Sequence, residues 1–248
     1  MLPAPYVAVI LLAFLSGLTT LIGAALALYF KKSIKGIVIG IGFSAGIMLL
    51  ISFFELIPES IGSAGIINTI ITAAFGILLV GSLNFIIPHT HLIKEKGRFD
   101  SRLLRAAYLV AFGLILHDFP EGFAMANSYI YSPSLGILIA SAIAIHNIPE
   151  EFAMAIPIVR LKKKGFLLKA AFISGLAEPA GAIIGLFAIS FLPALNPLFM
   201  SFAAGAMIFI SIHELLPMAI RYKKISLFIF GTILSIFVYL GLSILLQG

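Results

Sequence analysis

The sequence predicts an all-α, polytopic membrane protein with eight transmembrane helices, and three observations carry that prediction. Apolar residues make up 61% of the chain and charged residues only 10%, against roughly 45–50% and 25% in soluble domains. The apolar residues fall into eight runs, cut by Pro, Gly and charge clusters, each near the ~20 residues that cross ~30 Å of hydrocarbon as a helix. All sixteen Lys and Arg residues lie in alternate connections between those runs.

The runs are expected at 3–30, 36–58, 64–87, 103–128, 133–159, 165–192, 196–218 and 224–247. The first has no basic segment ahead of it and its lysines follow it, so it reads as a retained helix rather than a cleaved signal peptide. Lys31, Lys32 and Lys35 separate it from the second run. The third ends at Pro88, and 88–102 is the longest connection, expected on the cytoplasmic side. Arg160 to Lys164 divide the fifth run from the sixth, Pro193 lies between the sixth and seventh, and Lys223-Lys224 mark the start of the eighth. The remaining connections are a few residues long, so 1–248 is expected to form one transmembrane domain. Cysteine is absent, which excludes disulfides and thiolate ligands.

The basic connections carry Lys31, Lys32 and Lys35; Lys94, Lys96, Arg98, Arg102 and Arg105; Arg160, Lys162, Lys163, Lys164 and Lys169; and Arg221, Lys223 and Lys224. The positive-inside rule places all four in the cytoplasm and both termini outside. Insertion alone therefore accounts for the net charge of +6, and no nucleic-acid partner is implied. Phe43 to Pro58 matches Phe202 to Pro217 with nine identities in sixteen positions. Under this topology the second and seventh runs have opposite orientations. The expectation is an inverted repeat, three helices, then a central pair, then three helices (3+2+3), as in alternating-access transporters.

The central pair carries the chemistry. His117-Asp-Phe-Pro-Glu-Gly-Phe-Ala-Met-Ala126 and His146-Asn-Ile-Pro-Glu-Glu-Phe-Ala-Met-Ala155 each start midway along an apolar run. Ionisable groups there cost about 2.5 kcal/mol or more each, which marks them as functional. Positions i and i+4 share a helix face, so His117 with Glu121 and His146 with Glu150 each present an imidazole above a carboxylate. Imidazole and carboxylate together suit a divalent transition metal. Asp118 and Asn147 are turned by about 100° from those faces, towards a second adjacent ion, and Glu151, one turn from Asn147, is read as a further candidate metal ligand joining that face. Pro120 and Pro149 are expected to kink their helices and free the carbonyls of Leu116 and Ile145. Glu178, also followed by Pro, lies at matching depth in the sixth run.

Seven carboxylates lie within the runs (Glu55, Asp118, Glu121, Glu150, Glu151, Glu178 and Glu214) with no Lys or Arg in the run interiors to balance them. Protonation, a bound cation or an alternation of the two must compensate them. Met48 offers either a thioether ligand or ordinary packing. Glu55 near the outer end of its run, and His213 with Glu214 near the inner end of theirs, are read as entrance and exit stations or as hydrated interfacial groups. Glu59 reads as outer-surface charge. His89 and His91, in His-Thr-His, either receive metal or are simply solvated.

At His117-x-x-Pro-Glu-Gly122, His146-Asn-x-Pro-Glu150 and Glu178-Pro179 the chain resembles the ZIP (Zrt/Irt-like protein) family of divalent-metal transporters, prokaryotic type, and the resemblance extends over all eight runs. It implies a paired metal centre between the fourth and fifth helices. The first ion would take His117, Glu121, His146, Glu150 and Met48; the second would take Asp118, Glu121, Asn147, Glu150 and Glu178. It also implies transport towards the cytoplasm, homodimers, and helices that rock against one another. Two positions depart from the family pattern: Asp118 stands where Asn is common, and Glu151 where Gly is common.

The function expected is uptake of a divalent transition metal across the cell membrane, with Zn2+ as leading substrate, Fe2+, Mn2+, Co2+ and Cd2+ as alternatives, and no prosthetic group. One rival is a proton-coupled carrier of another cation, which would need aromatic cage residues. The other is an intramembrane metalloenzyme, but His213-Glu214-Leu-Leu-Pro217 lacks the second His of a zinc hydrolase motif.

Overall fold

The structure, a computed structural model, describes residues 3–30, 33–86, 99–155, 159 and 164–247. His89, His91 and most of the expected 88–102 connection lie outside the described residues. Long helical rods account for nearly all of the rest. They are α1 (Ala4–Tyr29), α2 (Ile34–Ala64), α3 (Ile66–Ile86), α4 (Phe99–Tyr131), α5 (Pro133–Met154), α6 (Lys164–Phe191), α7 (Pro193–Arg221) and α8 (Ile225–Gln247).

Among the described residues, all of these but α4 are both long and apolar enough to cross a membrane. With 33 residues, α4 has ample length. It starts at Phe99, so 99–102, expected in the connection, are helical. A helix satisfies its own backbone and need not stop where hydrocarbon ends. The molecule is thus an all-α, multi-pass membrane protein.

The helix does not end at Pro58, where the second run was expected to stop, and Pro217 likewise lies within α7, each proline being preceded by a wider π turn. Ile51–Leu56 and Ser211–Leu215 are π-helical, with the Ile57 amide reaching the Ser52 carbonyl and the Leu216 amide reaching that of Ser211. A proline in an α-helix collides with the carbonyl four residues back and lacks a donor. The inserted residue relieves that clash and leaves each proline in the first turn of the following helical segment, where a missing amide costs nothing. The Ser52 hydroxyl donates to the Met48 carbonyl at 2.7 Å and the Ser211 hydroxyl to that of Met207 at 2.8 Å. The two copies of the repeated segment therefore share their backbone irregularity as well as their residues. Beyond α2, Gly65 takes φ +81°, a left-handed conformation that turns the chain into α3.

α4 continues helically through Pro120 and α5 through Pro149. α6 is interrupted at Leu176, one residue before its second half, Ala177–Phe191, begins. Glu178 lies in the first turn of that half, where the helix dipole favours a carboxylate.

α2, α4, α5 and α7 pack around the middle of the molecule; α8 lies along α2, α3 along α7, and α1 and α6 cover α5 and α4. In the apolar spanning stretch of α2, 72% of residues are buried, against 17% in α3 and in α8. The outer faces of α3 and α8 present Ile67, Phe75, Phe237 and Leu245, the apolar surface that lipid requires.

Candidate metal centre

The helical spacing of each His-x-x-Pro-Glu segment stacks its imidazole and carboxylate on one face, and packing α4 against α5 crosses the two pairs. His117 Nδ1 lies 3.0 Å from Glu150 Oε1, and His146 Nε2 lies 3.2 Å from Glu121 Oε1. Each histidine thus meets the other helix's glutamate, and for His146 its own partner is more distant, Nε2 lying 3.8 Å from Glu150 Oε2. All four residues are buried.

His146 Nδ1 lies 3.0 Å from the Ala142 carbonyl, an oxygen that can only accept. The proton is therefore assigned to Nδ1, and the Nε2 lone pair faces the carboxylates, the orientation that a backbone carbonyl imposes on metal-binding imidazoles. Ligand atoms of Glu121, His146 and Glu150 all fall within 4.8 Å of one another. Glu121 Oε2 and Glu150 Oε2 are buried without hydrogen-bond partners. Such oxygens are costly to desolvate unless something positive approaches them.

The other expected ligands surround this core. Asp118 accepts from the Ser174 hydroxyl at 2.5 Å, and Glu178 Oε1 accepts from the Asn147 amide at 2.6 Å. Glu178 is held there by close helix packing: a Cβ on Gly122 would strike its backbone carbonyl, so only glycine at that position lets α4 and α6 meet. Met48 is fully buried in α2, one turn from Ser44, whose hydroxyl donates to the His146 carbonyl at 3.0 Å. Glu151 is buried with both carboxylate oxygens unpartnered.

The three expected path residues separate. Glu214 is buried, and its Oε2 lies 2.7 Å from His117 Nε2, so it borders the central cluster. His213, one residue away, is exposed and stacks on Phe209 with ring centroids 4.7 Å apart. Glu55 is buried and accepts from the Tyr239 hydroxyl in α8. Sequence reasoning missed Ser44, Ser174 and Tyr239 as partners, because a lone hydroxyl in an apolar run carries no signal of what it faces.

A multi-pass helical membrane protein with imidazole and carboxylate ligands converging at buried positions of its central helices belongs to the class of membrane metal transporters. The family described as ZIP zinc transporter matches residues 88–246. The chain is 38% identical to the zinc transporter ZupT of Streptococcus mutans, over 90% of this chain and 91% of that protein. It is 39% identical to that of Chlorobium phaeovibrioides, over 96% and 97%, and 38% identical to that of Corynebacterium efficiens, over 90% and 91%. The chain belongs to the ZIP family, whose members are transporters rather than enzymes.

Proposed function

We propose that this protein takes up Zn2+ across the cell membrane through a paired centre at the middle of the bundle. The observation that carries this reading is the convergence of Glu121, His146 and Glu150 within 4.8 Å in a buried interior. His117 and, from α2, Met48 complete the first ion's ligands; Asp118, Asn147 and Glu178, with the two shared glutamates, hold the second. The names of the relatives favour zinc, while Fe2+, Mn2+, Co2+ and Cd2+ remain chemically suited to the same donors.

In this reading the whole chain forms one transmembrane unit of eight spans with an inverted 3+2+3 repeat and both termini outside, and two copies pair in the membrane. Metal passes Glu55, exchanges water for the His/Glu cluster, and leaves by Glu214 and His213. Glu214 is near enough to His117 to share an ion with it, while Glu55, its repeat counterpart, is held by Tyr239. That asymmetry supports alternation between the two stations. Protons compete with metal for the same lone pairs, so acidification weakens binding and aids release.

Zinc uptake into proteoliposomes tests the proposal. The native protein is expected to carry Zn2+, and His117→Ala and Glu150→Ala to lose that uptake while still eluting as folded protein. Equal transport by native and variant proteins would instead move a proton relay or an organic cation to the front.

A further inference from the structure

Glu151 is the buried carboxylate that the paired centre leaves unused. It is 1% exposed, neither of its oxygens has a hydrogen-bond partner, and it lines a small cleft with Thr20, Asp118, Asn147 and Glu150.

The surroundings of this cleft repeat those of Glu178. Gly17-Leu18 and Gly23-Ala24 of α1 recur as Gly175-Leu176 and Gly181-Ala182 of α6, so that Thr20 corresponds to Glu178. The packing follows the same correspondence. A Cβ on Gly23 would meet the Ile148 carbonyl and the Phe152 amide of α5, and one on Gly181 would meet the Phe119 carbonyl and the Phe123 amide of α4. Gly17 and Gly175 face each other where α1 and α6 cross. Each of α4 and α5 therefore has a flanking helix seated on it in the same way.

The two sides differ in where the carboxylate comes from. On the α6 side the flanking helix supplies Glu178, and the central helix must offer Gly122. On the α1 side the flanking helix supplies Thr20, and the central helix supplies Glu151 at the position equivalent to Gly122. Gly23 leaves the room, since a Cβ there would lie 2.8 Å from that of Glu151.

We propose that Glu151 and Thr20, sharing Asp118 and the carbonyl oxygen of Asn147 with the second ion's ligand set, form a third, all-oxygen subsite that binds a hard divalent cation of the Mn2+ class. It rests on the reading of the centre as a metal path. The Thr20 hydroxyl has the Gly17 and Ala171 carbonyls as acceptors for its proton, at 2.7 and 3.0 Å, and keeps its lone pairs for the cleft. Asn147 spends its amide on Glu178, leaving its carbonyl. No nitrogen or sulfur donor lines the cleft, and an oxygen-only donor set selects hard ions over soft ones.

The test is a Mn2+ titration of the full chain in detergent, read by electron paramagnetic resonance, with Cd2+ added to occupy the His/Glu centre. The native protein is expected to retain one Mn2+ more per chain than Glu151→Gln, and Thr20→Val to bind that ion at least tenfold more weakly. Native stoichiometry and affinity in both variants would overturn the subsite, as would loss of all bound Mn2+ from the native protein on adding Cd2+. If Glu151→Gln does not fold, Thr20→Val decides. Zinc uptake by the same native preparation separates the two readings: uptake without a Glu151-dependent Mn2+ removes only the subsite, and absence of uptake removes the transport reading whatever the titration gives.

Discussion

His117 has a carboxylate on both ring nitrogens, Glu150 on Nδ1 and Glu214 on Nε2, whereas His146 uses Nδ1 on its own helix and directs Nε2 into the centre. The two imidazoles therefore differ in role although their motifs are nearly the same. In the proposed reading both hold the first ion, and His117 in addition links the centre to Glu214. Accordingly His146→Ala and Glu121→Gln are each expected to weaken zinc binding by at least about tenfold, measured by competition with a fluorescent chelator, since even residues that only orient ligands contribute 10–100-fold. Ser44→Ala removes a single buried hydrogen bond to the His146 carbonyl. It should lower stability by about 1 kcal/mol and spare the ligand set, seen as a reduced unfolding midpoint with zinc affinity near native. Gly122→Ala places a methyl against the Glu178 backbone; overpacking of this kind costs about 1–3 kcal/mol, and a lowered unfolding midpoint should accompany lost uptake.

At the scale of the element, the π turns decide which way Glu55 and Glu214 face. A π turn adds one residue, and one residue rotates a helix by about 100°. Pro217 makes the α-helical alternative unfavourable, so Pro217→Ala is expected to let Ser211–Leu215 relax and swing Glu214 away from His117. Uptake should fall, and the double variant Pro217→Ala/Glu214→Gln should be no worse than Glu214→Gln alone, because both changes act through one contact. Additive losses in that cycle would show that Pro217 matters for another reason. The break in α6 works differently: it sets Glu178 in the first turn of a helix that glycine allows to pack tightly on α4.

For the whole molecule, the one-sided basic connections lead to the expectation that both termini lie outside, and the absence of native cysteine makes that directly testable. Pro3→Cys and Gln247→Cys should each react with a membrane-impermeant maleimide added to intact cells, without permeabilisation. Labelling only after permeabilisation would reverse the orientation and with it the assigned direction of the path. Zinc affinity should also fall as pH falls, because each proton bound to the cluster displaces a ligand lone pair; titration calorimetry at several pH values reads this directly.

Length, apolar runs and alternating charge were enough to define a multi-pass helical protein with polar groups at its middle, because bilayer thickness and insertion act on local stretches of chain. The helical period likewise put His117 with Glu121 and His146 with Glu150, since a face is a local property. Partners across helices were not legible. The crossing of the two His/Glu pairs, the reach of Glu214 to His117 and of Tyr239 to Glu55, and the hydroxyls of Ser44, Ser174 and Thr20 all depend on which helices touch and at what rotation. The second run was expected to stop at Pro58, because proline disfavours an α-helix, but the structure keeps the rods continuous through Pro58 and Pro217 by widening a turn. Local chemistry therefore determined which groups had to be compensated inside the membrane, and tertiary packing alone decided which of them meet, because contact between helices depends on small residues and crossing positions far apart in the chain.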